Sequence, residues 1–342
     1  MIYVKNFNRF SFINAFKAII ASLFGYILGH ALGWWLGVDQ MYTWIVITIL
    51  VVMSSQPNLG GALEKAKMRL LGTIMGSIMA IIILFIFPHN SWLQVIFALI
   101  LIFIGVYIAT ASSKFMYAGV LGCVTVSIIL FSKEVTLIIA FFRTLEVILG
   151  VLIAIIINRF IFPIRASDRL YFSFSETLLL LKTLHERLIK KIDYDEVLVK
   201  VFMQFTKQLS LYKEISNEKD KVNLDYYKIL TSQLRQLYRY NAVIYDYITL
   251  YPAKKIRFSN SIEFNDIHAA ISELMSKMAL DFKNKKSNCY QSSFNIIEKK
   301  LEDFKNTMRV DPKYRHVNTL VFSLEKNIEI FKTIQNTVLD IK

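Results

Sequence analysis

Two hydrophobic patterns divide the chain. Up to about residue 161, apolar residues come in long runs broken by short polar stretches. The runs lie at about 15–36, 42–57, 64–87, 92–110, 115–131 and 136–161. An α-helix needs about 20 apolar residues to cross a bilayer, within a range of about 17–25, so they predict six transmembrane helices. The second and fifth are short and hold matching places in the two triplets. From Ser167 onward the runs give way to apolar positions spaced three and four apart, with charge between them. Leu178, Leu181, His185 and Leu188 follow this spacing, as do Ile296, Ile297, Leu301 and Phe304. That periodicity predicts about six amphipathic helices, near 168–190, 194–216, 224–250, 262–284, 289–308 and 316–338. Asp311 and Pro312 read as a helix start, with Asp as N-cap and Pro at the first helical position.

An arginine-led pattern occurs twice within the apolar half. Arg69, Gly72, Gly76 and Ala80 stand in the third run; Arg143, Glu146, Gly150 and Ala154 stand in the sixth, 74 residues later. A proline follows each copy, at Pro88 and Pro163. A charge inside a span costs about 2.5–3.5 kcal/mol on insertion scales, so such residues face protein or water and often mark a pathway. Copies separated by three spans have opposite orientations, an inverted-repeat architecture associated with transporters. The fold class expected is therefore all-α. Residues 1–164 form a six-transmembrane-helix bundle of two inverted three-helix repeats, and residues 165–342 a cytoplasmic helical bundle.

Short segments at matching places in such repeats point toward a binding site. The second run ends in Ser54, Ser55, Gln56, Pro57 and Asn58, which bring hydroxyl, amide and backbone groups to the end of the span. The fifth carries Thr125 and Ser127 beside Gly119, Gly122 and Cys123. Both sets are candidates for lining a path, and both also fit a helix end and a small-residue packing face. Gly72, Gly76 and Gly150, with Ala80 and Ala154, form rows of small residues that let backbones approach where lipid supplies no hydrophobic drive. They predict packing between the third and sixth spans. Arg143 and Glu146, three apart, can pair on one helix. Glu146 could alternatively carry a coupling proton, and each arginine could alternatively reach lipid headgroups.

Lys and Arg in short loops set orientation. Lys5, Arg9, Lys17, Lys65, Lys67, Lys114, Arg159, Arg165 and Arg169 fall on one side, with little basic charge on the other. Both termini and the charged half are expected in the cytoplasm. Trp34, Trp35, Trp44 and Trp92 fall near span ends on the outer side, as an aromatic belt would. The first run is long for a signal peptide and reads as an uncleaved span.

Composition changes this picture little. The apolar half holds 10 Lys+Arg against 4 Asp+Glu, and the remainder 30 against 22. Flanking charge and a solvated helical unit explain the overall +14 without nucleic acid, for which no recognition motif is present. Cys123 and Cys289 suggest neither a disulfide framework nor a metal knuckle. No phosphate-binding loop, metal motif or nucleophile–base set is visible, so no enzyme, metal or cofactor is expected.

The R-x-x-G-T-x-x-G copy at Arg69–Gly76 and the R-x-x-E-x-x-x-G copy at Arg143–Gly150, with six spans, resemble the fusaric acid resistance / aromatic acid exporter family. Aluminium-activated malate transporters look like distant relatives. The resemblance covers about residues 10–165. It implies export or channelling of organic anions such as aromatic carboxylates in a bacterial inner membrane, and marks Arg69, Gly72, Thr73, Gly76, Arg143, Glu146 and Gly150 as motif positions. Bacterial exporters of this kind often carry two such membrane halves, whereas this chain has one. A homodimer or a partner subunit is therefore expected, and a periplasmic adaptor is left open. Lipid and a small organic anion are the other expected partners. The rival expectation is a non-transporting membrane scaffold whose helical half recruits cytoplasmic proteins.

Overall fold

A computed structural model describes residues 9–38, 40–54, 58–131, 137–190, 195–218, 224–250, 262–309 and 318–340. Among them all regular structure is helical: twelve α-helices and no strand. The chain divides into two compact units, Met1–Ala166 and Ser167–Lys342.

The first unit contains α1 (Arg9–Leu36), α2 (Met41–Met53), α3 (Leu59–Ile86), α4 (Ser91–Ala111), α5 (Met116–Leu130) and α6 (Leu137–Phe160). Local chemistry explains the breaks. Gly37 takes a left-handed φ of 67°, and Val38 N–H donates to Gly33 O at 2.9 Å. This is the Schellman ending that glycine permits. Helix α3 stops ahead of Pro88, whose ring disfavours helix in the residue before it. The Asn90 side chain caps α4 by accepting from Leu93 N–H at 3.2 Å.

Helices α1, α3, α4 and α6 are long and apolar enough to cross a membrane. Six full spans were expected, but α2 has 13 residues and α5 has 15. At 1.5 Å per residue they measure about 20 and 22 Å, short of the roughly 30 Å hydrocarbon core. Helix α2 ends at Met53 rather than near residue 57, and Ser55, Gln56 and Pro57 lie outside the described residues. Outward residues such as Phe85, Leu99, Phe103 and Phe160 are exposed. An apolar surface of that extent suits lipid rather than water.

Each short helix buries one face against longer helices and exposes the other. Helix α2 packs on α1 and α6, and α5 packs on α3 and α4. Two buried clusters result. One joins Ala66 of α3 to Ala154 of α6, with Ile45, Ile49 and Val52 of α2. The other joins Ala80 of α3 to Ala140 of α6, with Val126 and Ile129 of α5. The start of α3 thus shares a core with the end of α6, and the end of α3 with the start of α6, so the two helices run antiparallel. Between the clusters, Thr144 Oγ1 donates to Ala140 O at 2.9 Å, which leaves Ser77 Oγ to donate to Thr144 at 2.8 Å.

The second unit contains α7 (Ala166–Lys190), α8 (Asp195–Asn217), α9 (Leu224–Leu250), α10 (Ile262–Asn284), α11 (Gln291–Arg309) and α12 (Asn318–Asp340). These bounds follow the expected periodicity within a few residues; Asp311 and Pro312 lie outside the described residues. Leu178, Leu181 and His185 are buried, as are Ile297, Leu301 and Phe304. Ile296 instead faces out, since adjacent residues on a helix point about 100° apart. Two polar networks thread this core. Gln208 Nε2 donates to Thr177 Oγ1 at 2.9 Å, and Thr231 donates to Gln208 Oε1 at 3.1 Å. Deeper in, His268 Nδ1 meets His185 Nε2, and His185 Nδ1 meets Asn241 Oδ1 at 3.1 Å.

Candidate functional site

The two arginines, equivalent in the sequence repeat, have different surroundings. Arg143 is about one-third exposed and pairs with the buried Glu146 at 2.9 Å. Its guanidinium also lies 4.8 Å from the centre of the Trp44 ring, within cation–π range. Of the four belt tryptophans, Trp34, Trp35 and Trp92 are exposed, whereas Trp44 is half-buried under this arginine. Charge, carboxylate and ring face make Arg143 a satisfied residue.

Arg69 is buried and meets no carboxylate among the described residues. Its Nη2 donates to Thr48 Oγ1 at 3.4 Å, a long contact. Its neighbour on α5 is Tyr117, and Lys65 Nζ sits 5.2 Å from the centre of the Tyr117 ring. Two polar groups here, Arg69 Nε and Thr73 Oγ1, are buried without a hydrogen-bond partner among the described residues, and the buried Tyr117 hydroxyl faces Arg69. Helix geometry places Lys65, Arg69 and Thr73 one turn apart on a single face of α3. The result is a set of donors and cationic groups with no acceptor of matching charge.

Small residues bring the helices this close. A Cβ on Gly76 would lie 2.7 Å from Gly122 O and 3.1 Å from Thr125 Cβ. One on Gly72 would collide with Ala118 O. One on Gly150 would lie 2.7 Å from Thr48 Cβ and 2.8 Å from Ile45 O. The expected packing of these rows between α3 and α6 is thus corrected. The α3 row packs on α5 and the α6 glycine packs on α2, because only there do backbones come close enough to require glycine. Thr125 is buried but donates to Leu121 O at 2.8 Å within its own helix. Ser127 is half-buried on α5, and Ser54 is exposed at the end of α2. Neither is brought to Arg69 by any contact. Ser55 and Gln56 fall outside the described residues.

A second buried cation went unrecognised in the sequence. Lys17, read there as flanking charge, is 0% exposed. Its Nζ donates to Asn158 Oδ1 of α6 at 3.2 Å. Asn14, one turn earlier, donates to Met53 O of α2 at 2.8 Å. A signal existed: Asn14, Lys17 and Ala21 are spaced three and four apart, which puts the lysine on the packed stripe of α1. Thr48 and Tyr117 had no comparable signal, because what makes them matter is their proximity to an arginine on another helix.

Where α1 ends and α2 begins, an open concavity of about 570 Å³ is lined by His30, Trp34 and Tyr42 among others. His30 stacks on Tyr42 at 6.2 Å and is exposed rather than packed inside. Among the described residues no group of His, Cys, Asp and Glu could hold a metal ion.

Apolar helices arranged around buried, unneutralised cations define a multi-pass membrane protein, and nothing in the cluster forms a nucleophile–base pair. The comparison with family profiles agrees. The fusaric acid resistance protein family matches residues 13–210, more than half of the chain, and the chain belongs to that family. The match runs past the first unit through α7 and into α8. Membership indicates a membrane transporter for the efflux of organic compounds rather than an enzyme. No curated protein sequence matches the chain.

Proposed function

We propose that this protein moves small organic anions, aromatic carboxylates among them, out across the bacterial inner membrane, with Arg69 as the central anion-binding residue. The observation that carries this reading is the Arg69 cluster. A buried guanidinium without a carboxylate is costly, and here it is accompanied by the unpartnered Thr73 hydroxyl and by the Tyr117 hydroxyl that faces it. A carboxylate entering among Arg69, Thr73 and Tyr117 would replace its hydration shell with charge-assisted hydrogen bonds. Lys65, one turn nearer the start of α3, would raise the local anion concentration. Arg143 is already neutralised by Glu146, so its part is structural: it holds α6 against Trp44 of α2.

In this reading all six helices of the first unit traverse the membrane, and α1–α3 and α4–α6 are inverted repeats. The antiparallel α3–α6 pair supports it. So do the helix ends: Ile86 and Phe160 close α3 and α6 at an offset of 74, the same as Arg69 to Arg143. The pattern of short-loop charges supports cytoplasmic termini and a cytoplasmic helical unit. One repeat pair per chain favours a homodimer, or a partner subunit, as the working assembly; a periplasmic adaptor would extend the route outward.

Benzoate flux into liposomes holding the purified protein tests the assignment. Arg69→Gln is expected to cut flux about tenfold or more, the loss of roughly 1.4 kcal/mol of anion binding. The double variant Arg143→Gln/Glu146→Gln should keep flux within about twofold, since it removes a neutral pair. The opposite order of effects would remove Arg69 from the centre of the path.

A further inference from the structure

Lys17 and Asn158 stand apart from the Arg69 cluster, on α1 and α6. The Lys17 ammonium is fully buried and finds one neutral partner, Asn158 Oδ1, among the described residues. The first unit has only four acidic residues, Asp39, Glu64, Glu134 and Glu146. None of them contacts Lys17 among the described residues. Asn158 is itself 0% exposed, and its Nδ2 is buried with no hydrogen-bond partner among the described residues. The amide cannot be turned to relieve this, because an Asn158 rotated by 180° would aim N–H at the ammonium. An ammonium has three N–H bonds and an amide two. Two free N–H bonds of Lys17 and two of Asn158 therefore sit together in a buried place. Asn14 fixes the spot by binding Met53 O, which ties α1 to the end of α2.

A buried charge with only a neutral partner is unfavourable by several kcal/mol, and replacing it with a hydrophobic residue of similar size would relieve that cost. The unpaired donors of Lys17 and Asn158 match an acceptor-only group of negative charge, while the unpartnered Asn14 Oδ1 sits one turn earlier on α1. We infer that Lys17 and Asn158 form a second anion subsite, at the end of the bundle where α1 begins and α6 ends, which takes the carboxylate of the transported organic acid. This rests on the transport reading above and adds a station to it. The carboxylate would accept from Lys17 Nζ and Asn158 Nδ2 there, and from Arg69 at the other station. Two stations, each weak enough to release its ion, are what conduction needs.

The test uses the full-length protein, with benzoate as the probe and two readouts: thermal unfolding in detergent with and without benzoate, and KM for benzoate flux in liposomes. Lys17→Met is expected to unfold at a higher temperature than wild type without benzoate, because it removes an unpaired buried charge. It should also raise KM about tenfold and reduce the stabilisation by benzoate. Lys17→Arg should restore part of both effects, and Asn158→Leu should raise KM with Lys17 intact. A Lys17→Met protein with wild-type KM and wild-type stabilisation by benzoate would overturn the subsite and leave the Arg69 reading standing. A folded wild-type protein that neither transports nor is stabilised by any carboxylate tested would overturn both.

Discussion

At the scale of single residues, burial and pairing decide what each charge can do. Arg69 and Arg143 are identical in type and in repeat position, yet among the described residues one meets no counter-charge and the other has Glu146 at 2.9 Å. The sequence offered both roles for Glu146, and its geometry favours the structural one. The second unit carries a sharper case. Burial pushes the His185 imidazole down from its ordinary value to about 4, and pushes His268 well below its ordinary value, with the neighbouring His185 adding to the effect. Both are held neutral among Asn241, Asn327 and the ring of Phe264. Each folded-state value lies below the unfolded one of about 6.5, so the unfolded chain takes up more protons as pH falls. The stability they contribute is intact above about pH 6.5 and is lost from there down toward pH 4. By pH 5 the His185 protonation alone should cost about 2 kcal/mol relative to pH 8, and His268 shifts stability in the same direction. Thermal unfolding of the full-length protein between pH 8 and pH 5 measures this. The double variant His185→Leu/His268→Leu should show a distinctly shallower fall, and an identical slope would show that the pair does not titrate on unfolding.

Element pairs in the membrane unit are set by where side chains are missing. Helices α3 and α5 approach so closely that a Cβ on Gly76 would meet the Gly122 backbone carbonyl first, with Thr125 Cβ next. Backbone cannot swing aside as a flexible side chain can, so the contact is intolerant. Gly122 belongs to the same crossing, but a Cβ there would meet only Gly72 O at 3.4 Å, an ordinary contact. Gly76→Ala should therefore lower stability by about 1–3 kcal/mol through overpacking. Gly122→Ala should be close to neutral. Unfolding midpoints of the two detergent-purified variants, compared with wild type, decide this, and equal losses at both positions would contradict the crossing described. Small-residue spacing marked Gly72, Gly76 and Gly150 as packing positions. It could not name the partner helices, because a glycine row records that something comes close without recording what.

At the scale of the whole molecule, the two units follow different rules. The first turns apolar surface outward, as at Phe103 and Phe160, and keeps Lys17, Arg69 and Glu146 inside. The second buries Phe174, Phe264 and Phe331 and displays paired lysines and glutamates such as Lys200 with Glu196. The chain's two cysteines make the proposed sidedness measurable. Cys289, on the second unit, is exposed, and Cys123 is half-buried inside the helix bundle. A membrane-impermeant maleimide should leave Cys289 unlabelled in cells whose inner membrane is intact, and label it in inverted membrane vesicles. Labelling from outside would reverse the orientation and place the helical unit on the far side.

What the sequence determined by itself is whatever depends on neighbours along the chain. Runs of apolar residues and three-to-four spacing located the twelve described helices to within about six residues at either end, because helix formation and amphipathic burial are local properties. The 74-residue recurrence of the arginine motif, and with it the family, was legible for the same reason. Two things were decided only by the tertiary structure. The first is where the short helices pack, α2 on α1 and α6 and α5 on α3 and α4, a matter of which helices surround them. The second is which buried charges find partners: Arg143 meets Glu146 on its own helix, three residues on. Arg69 and Lys17 depend on Thr48, Tyr117 and Asn158, which lie 21, 48 and 141 residues away in the chain. Electrostatic energy depends on distance in space and on exclusion of water, and neither can be read from position in the sequence.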